Sequence, residues 1–280
     1  MLNSDFVAAG LLSLGVLVAG CDNAPPGTHP QSPQTETSAK QVADLIRSAE
    51  GRDGPGPSVQ QAQLELGERY YRGEGVPRDM AKAAEWWQKA AEQGHASAQY
   101  SLGYMYYRGH FQGEHFVGDA AEAIEWWQKA AAQGHAGAQY SLGFMYRNGP
   151  WVSRDDVKAA QWYQQAADQG LAAAQYSLGF MYYRGEGVPR DTVKAVEWYR
   201  KAALQGDAGA QYNLGLMYYR GEGVPADNVL AHAWFNMSAG SGVRLAVEHR
   251  ANVEHRMSAT EIAEAQRLSS SWRPGQNLVR

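Results

Sequence analysis

The sequence predicts an all-α solenoid, and three observations predict it. The segment AQYSLGFMYYRGEGVPRD, Ala174 to Asp191, returns almost unchanged as AQYNLGLMYYRGEGVPAD, Ala210 to Asp227. A Leu-Gly pair recurs at Leu66-Gly67, Leu102-Gly103, Leu142-Gly143, Leu178-Gly179 and Leu214-Gly215, spaced by 36, 40, 36 and 36 residues. Ala, Gly, Tyr and Trp are frequent and Ile is sparse, which favours helices packed through small residues over sheets. A fixed period of this length marks a stack of supersecondary units, each burying its apolar face only against its neighbours.

Five units span residues 62–243, and the longer spacing comes from an insertion in the second, GHFQGEHFVGD. Each reads as two helices. The first carries Ala-x-x-x-Leu-Gly-x-x-Tyr, as in Ala174, Leu178, Gly179 and Tyr182, on one helical face. A mid-helix glycine costs about 1 kcal/mol against alanine. Its presence in all five units predicts that another backbone passes close by. A turn follows, as in Gly185-Glu186-Gly187-Val188-Pro189, where glycines permit left-handed backbone and proline ends the helix. Asp79, Asp119, Asp155, Asp191 and Asp227 are placed to N-cap the second helices, and Asp119 has Glu122 three residues on, like a capping box. Those helices carry Trp86, Trp126, Trp162, Trp198 and Trp234, read as core. They close on Gly94, Gly134, Gly170, Gly206 and Gly242.

The ends of a stack need caps. Residues 38–61 read as a capping helix and linker, with Ser38 and Gln41 opening a helix to about Glu50, striped by Val42, Leu45 and Ile46. GRDGPGP breaks it, and Ser58 with Gln61 opens the first repeat helix. Residues 244–280 read as C-terminal capping helices and a tail. One helix is expected over Arg244 to Met257, and another from Ser258 and Glu261 to about Ser270, striped by Ile262, Ala265 and Leu268.

The N-terminal end carries an address. Phe6 to Gly20 is an uncharged run, too short to span a bilayer and suited to a signal-peptide core, so residues 1–20 are read as a leader. MLNSD before it has no Lys or Arg. The chain's single cysteine, Cys21, rules out an intrachain disulfide framework. It follows Val18-Ala19-Gly20, which resembles the bacterial lipobox. That resemblance implies cleavage before Cys21, its lipidation, and a periplasm-facing lipoprotein of the bacterial envelope. Asp22 resembles an inner-membrane retention signal of enteric-type bacteria; the rule differs among bacteria, and the choice of membrane stays open. The proline-rich stretch after Cys21 reads as a tether, residues 21–37.

Little in the sequence points to catalysis. Net charge is −4 with both signs dispersed, and no basic arm suggests nucleic acid. There is no zinc-ligand spacing, phosphate-cradling loop or nucleophile elbow, so no cofactor or metal is expected. His110, Glu114 and His115 in the insertion read as a polar surface loop rather than a metal site. His95 and His135 share one repeat position with Leu171, Asp207 and Val243, so no chemistry is held there. Glu85, Glu125 and Glu197 read as a solvated helix face.

The Leu-Gly-x-x-Tyr core resembles the tetratricopeptide repeat. The 36-residue unit, its Gly-x-Gly-Val-x-x-Asp loop and its Ala-Ala-x-x-Gly end resemble the Sel-1-like repeat. The third unit departs in its loop, Gly149-Pro150-Trp151-Val152, and the fifth in Asn236-Met237-Ser238-Ala239. The resemblance implies a right-handed α-solenoid of five helix-turn-helix repeats whose first helices line the concave side.

One stripe on those helices comprises Tyr100, Tyr104 and Tyr107; Tyr140, Phe144 and Arg147; Tyr176, Phe180 and Tyr183; and Tyr212, Leu216 and Tyr219. Arg72, Arg108, Arg184 and Arg220 edge it. Tyrosine and arginine dominate protein-recognition hot spots. The expectation is therefore a non-catalytic scaffold for another envelope protein. The alternatives are a binder of peptidoglycan fragments or a regulator of cell-wall hydrolases, or a stripe that only packs repeat on repeat.

Overall fold

A computed structural model describes residues 33–52, 58–109, 119–149 and 151–278. The leader, Cys21, most of the tether, and His110, Glu114 and His115 lie outside the described residues. Those described contain thirteen α-helices and no strand. They are α1 Pro33–Ala49, α2 Val59–Arg72, α3 Met80–Glu92, α4 Ala96–Arg108, α5 Ala120–Ala132, α6 Ala136–Asn148, α7 Asp156–Asp168, α8 Ala172–Arg184, α9 Thr192–Leu204, α10 Ala208–Arg220, α11 Asn228–Gly240, α12 Arg244–Glu254 and α13 Ala259–Ser271. They form two compact units, one ending at Leu142 and the other running on from Gly143.

Capping chemistry builds each repeat from its own sequence. Asp79, Asp155, Asp191 and Asp227 each accept a backbone N–H three residues on, at 2.9 to 3.0 Å, and Asp119 accepts two, from Ala121 and Glu122. The second helices close on Gly94, Gly134, Gly170, Gly206 and Gly242 with φ between 85° and 91°. Both roles are as the sequence predicts.

The mid-helix glycines have a different cause from the one expected. What lies against them is chiefly an aromatic ring of the following helix. A Cβ on Gly67 would stand 2.3 Å from Trp87, and one on Gly103 2.7 Å from Trp127. In the C-terminal unit the pairs are Gly143 with Tyr163, Gly179 with Tyr199 and Gly215 with Phe235, at 2.7 to 2.9 Å. A neighbouring backbone carbonyl comes second, at 3.0 to 3.3 Å in three of the five. Each repeat is thus a ring seated in a glycine notch. The seated ring is one residue beyond the tryptophan position singled out in the sequence. Trp126, Trp198 and Trp234 are buried as expected, but Trp86 and Trp162 are only half-buried. Lys89, Lys129 and Lys201 lie over Trp86, Trp126 and Trp198 at 3.7 to 4.0 Å from the ring centre.

A buried glutamine ties each repeat to what precedes it. Gln63 donates to the Ala49 carbonyl, Gln99 to Ala91, Gln175 to Ala167 and Gln211 to Ala203, at 3.0 to 3.3 Å. These carbonyls lie in the last turn of the preceding helix, and those of Ala91, Ala167 and Ala203 also accept the backbone N–H of Gly94, Gly170 and Gly206, so the glutamine fills a second lone pair. The glutamine oxygens of Gln63, Gln99 and Gln175 in turn accept from Gln93, Gln133 and Gln205, each at 2.8 Å. The series stops at the fifth repeat. Ser241 stands where those glutamines stand, and the buried Gln211 Oε1 has no hydrogen-bond partner among the described residues.

In the C-terminal unit the Gly-Glu-Gly loop is more than a turn. A Cβ on Gly187 would lie 2.0 Å from the Asp156 carbonyl oxygen, and one on Gly223 2.3 Å from that of Thr192. Here a backbone does pass closely: each loop rests on the start of the preceding repeat's second helix. The glutamate between the glycines also reaches back. Arg147 donates to Glu186 at 3.2 Å and the Tyr183 hydroxyl to Glu222 at 2.9 Å. The third repeat carries Trp151 at the corresponding loop position, and that side chain is 58% exposed.

Both ends are capped. In the N-terminal unit Val42, Leu45 and Ala49 of α1 bury against Ala62 and Leu66 of α2. The helix begins at Pro33, ahead of the expected Ser38, so its first turns take in residues assigned to the tether. At the other end α12 stops at Glu254, short of Met257, because a turn follows. The Ser258–Glu261 capping box then opens α13, which buries Ala265 and Leu268. Of the departures in the fifth repeat, Asn236 contacts the cap and Ser238 ties the repeat's own two helices together. Asn236 donates to Ser269 at 2.8 Å, and the buried Ser238 donates to the Ala208 carbonyl at 2.7 Å.

Asp207 shows how burial can oppose a cap. It accepts the Ala210 N–H at 2.7 Å, yet burial raises its carboxyl above the usual range and outweighs that bond. The folded pKa lies above the unfolded one, so Asp207 favours folding below about 3.8 and loses that contribution as pH rises through the folded pKa. Asp207→Asn keeps the acceptor without the charge. It is expected to raise stability at pH 7 by up to about 1 kcal/mol, with the gain gone in acid, as read by urea unfolding at both pH values.

Candidate binding surface

The predicted stripe divides into a buried part and an accessible part. In the C-terminal unit Tyr176, Phe180, Tyr212 and Leu216 are core residues, at most 8% exposed. Tyr212 packs on Phe235 and on His249 of α12, and Tyr176 on Tyr199, with ring centres 5.5 to 5.8 Å apart. These positions are covered by neighbouring helices, so Tyr176, Phe180 and Tyr212 cannot meet a partner and are removed from the predicted site. Tyr100 in the N-terminal unit is partly buried, its ring stacked on His135 at 4.6 Å.

What remains accessible is the later half of each first helix. In the N-terminal unit Tyr104 and Tyr107 are partly exposed and Arg108 is exposed. The Arg108 guanidinium lies 5.9 Å from the Tyr104 ring centre. Tyr107 leans on Trp127 at 5.5 Å, and Tyr71 leans on Trp87 at 5.4 Å in the same way, next to Arg72. The repeat register pairs Tyr71 with Tyr107, a signal that the stripe predicted from the sequence omits. Burial raises the Tyr107 hydroxyl pKa, so the phenol stays protonated and can donate.

In the C-terminal unit Tyr183 and Tyr219 are partly exposed, and Arg184 and Arg220 are exposed. These residues are already engaged. Tyr183 donates to Glu222, Arg184 approaches Glu186 at 3.5 Å, and Arg256 lies 4.9 Å from the Tyr219 ring centre. Arg147 joins them, paired with Glu186 and set 4.5 Å from the Phe180 ring centre. The surface therefore presents tyrosine edges and arginines held in place by carboxylates. Such groups are pre-ordered, which lowers the entropy lost when a partner docks. Glu85, Glu125 and Glu197 stand exposed on the second helices, as expected of a solvated face.

A helical-repeat solenoid offering side chains along its first helices is the class of protein that this fold defines. The Sel1 repeat model matches residues 60–95, 96–135, 136–171, 172–207 and 208–243, so the chain belongs to the Sel1 repeat family. It is similar to a Sel1 repeat protein from Oxalobacter formigenes, with 32% identity and a TM-score of 0.63, covering 75% of this chain and 88% of that one. It is also similar to a protective antigen present in uropathogenic Escherichia coli strains that displays an SLR fold. There the identity is 31% and the TM-score 0.54, over 83% of this chain and 56% of that one. No curated protein matches the chain. Sel1 repeat proteins generally mediate protein–protein interactions.

Proposed function

We propose that the chain is a non-catalytic, lipid-anchored scaffold of the bacterial envelope that holds another protein on the accessible face of its first helices. The observation that carries this reading is the repeated placement of a partly exposed tyrosine beside an exposed arginine, Tyr107 with Arg108, Tyr183 with Arg184 and Tyr219 with Arg220. Tyrosine gives large apolar contact with few rotors, and arginine adds planar donors for carboxylates or carbonyls. The lipobox-like Val18-Ala19-Gly20-Cys21 supports the anchor, with the acyl chains on Cys21 holding the chain at a membrane.

Two experiments test the two halves separately. Metabolic labelling with a palmitate analogue should mark the full chain and not a Cys21→Ala variant; equal labelling of both would remove the anchor. For the scaffold, a photo-crosslinking residue at Arg108 or Arg184 should trap one discrete envelope protein. The same residue at Glu85 or Glu125 should not. Equal trapping at both faces would move the binding surface. Retention on purified peptidoglycan with no trapped protein would replace the scaffold by the glycan reading.

A further inference from the structure

The turns entering the first helices of repeats two to five carry His95, His135, Leu171 and Asp207 just before the helix. Two of these four side chains bond the helix they precede. His135 Nδ1 accepts the Ala138 N–H at 3.2 Å, and Asp207 accepts that of Ala210 at 2.7 Å. His95 and Leu171 make no such bond. The two bonded helices are the two with glycine at their second residue, Gly137 and Gly209, where the others have Ser97 and Ala173. A Cβ on Gly137 would stand 3.1 Å from the Tyr100 ring and 3.2 Å from His135 Cε1. One on Gly209 would stand 3.1 Å from Tyr176 and 3.4 Å from Asp207 Oδ1. The absent side chain makes room for a capping group between the helix turn and the preceding repeat's tyrosine.

We propose that His135 is a pH-responsive cap: its neutral imidazole holds the first turn of α6, and protonation at Nδ1 releases it. An imidazolium has no acceptor, and its charge would face the positive end of the helix. Among the described residues, no carboxylate is among the groups that set the titration of the ring. Tyr100 of α4 stacks on it at 25°, α5 supplies the Ala130 carbonyl that takes the His135 backbone N–H at 3.1 Å, and His95 offers only like charge. Burial holds the His135 pKa below the usual imidazole range, outweighing a hydrogen bond to its own backbone that raises it, and the like charge of His95 adds a smaller push downward. With the folded pKa depressed, the stabilisation is complete above about 6.5 and is lost as pH falls through the folded pKa. Leu171 and Val243 at the same repeat position cannot respond and Asp207 responds with the opposite sign, so this loss in acid is local to α4, α5 and the start of α6.

The test uses the full chain and two NMR readouts. At neutral pH the nitrogen shift of His135 should report an unprotonated Nδ1. As pH falls through its titration, the Ala138 amide should lose about fivefold of its protection from exchange, once corrected for the intrinsic rate. The Ala98 amide, which His95 does not cap, should show no such step. His135→Asn keeps an acceptor that cannot titrate and should hold the Ala138 protection constant. A protonated Nδ1 in the neutral native chain would overturn the proposal without any variant. So would the same Ala138 step in His135→Asn.

Discussion

Replacing Gly187 with valine is expected to destabilise the C-terminal unit by about 4 kcal/mol, the sum of a steric and a backbone effect. The new Cβ would stand 2.0 Å from the Asp156 carbonyl oxygen, a backbone atom that cannot swing aside. The residue also holds φ at 70°, a left-handed conformation that a β-branched side chain resists. The loop would have to lift from α7, and Glu186 would then lose its bond to Arg147. Gly223→Val should behave alike, because its Cβ would meet the Thr192 carbonyl at 2.3 Å. Gly94→Ala is the informative contrast. Gly94 has φ of 89° but nothing within 4 Å of its added Cβ, so it should show the backbone cost alone, about 1 to 2 kcal/mol. Equal losses at Gly187 and Gly94 in urea unfolding would mean that the loop contact contributes nothing.

The second large effect is at the ring in its notch. Phe235→Ala should cost about 4 kcal/mol, because a fully buried ring leaves a cavity. Gly215→Val should cost about 2 to 3 kcal/mol, because its side chain would begin 2.8 Å from that ring. The two changes are complementary in shape, so the double variant should lose less than the sum by at least about 1 kcal/mol. Strict additivity would show that glycine and ring do not share one space. The single-site losses should also appear as lower urea midpoints with unchanged slopes, since the unit still unfolds as a whole.

The parts of this fold that depend on a few neighbouring residues were legible in the sequence. Asp79 to Asp227 cap because an aspartate before a helix can reach the third N–H, and Gly94 to Gly242 close because glycine alone adopts positive φ freely. The seated rings needed one step more. Trp86 and Trp87 are adjacent, and composition cannot say which one faces α2. The spacing of Ala83, Trp87, Ala90 and Ala91, at i, i+4, i+7 and i+8, describes the buried face and marks Trp87.

The candidate surface was legible as a stripe but not as a surface. Tyr104, Phe144, Phe180 and Leu216 hold one register position, yet Tyr104 is partly exposed and Phe180 is core. Helical phase tells which residues share a face. Whether that face is covered depends on what packs over it, as α12 does for Tyr212 through His249. The glutamine series was missed for a related reason. A glutamine on the apolar side of a helix looks like a tolerated polar residue until the carbonyl it bonds is located.

The most direct measurement of the central claim is the affinity of the cross-linked envelope partner for purified chain with the second-helix and first-helix faces altered in turn. Tyr104→Ala with Tyr107→Ala should weaken binding at least about tenfold, the loss typical of a central aromatic pair, while the circular dichroism spectrum stays native. Glu85→Ala with Glu125→Ala should leave it unchanged. Full affinity in the tyrosine variant, with binding lost in the glutamate variant, would contradict the account and place recognition on the second helices.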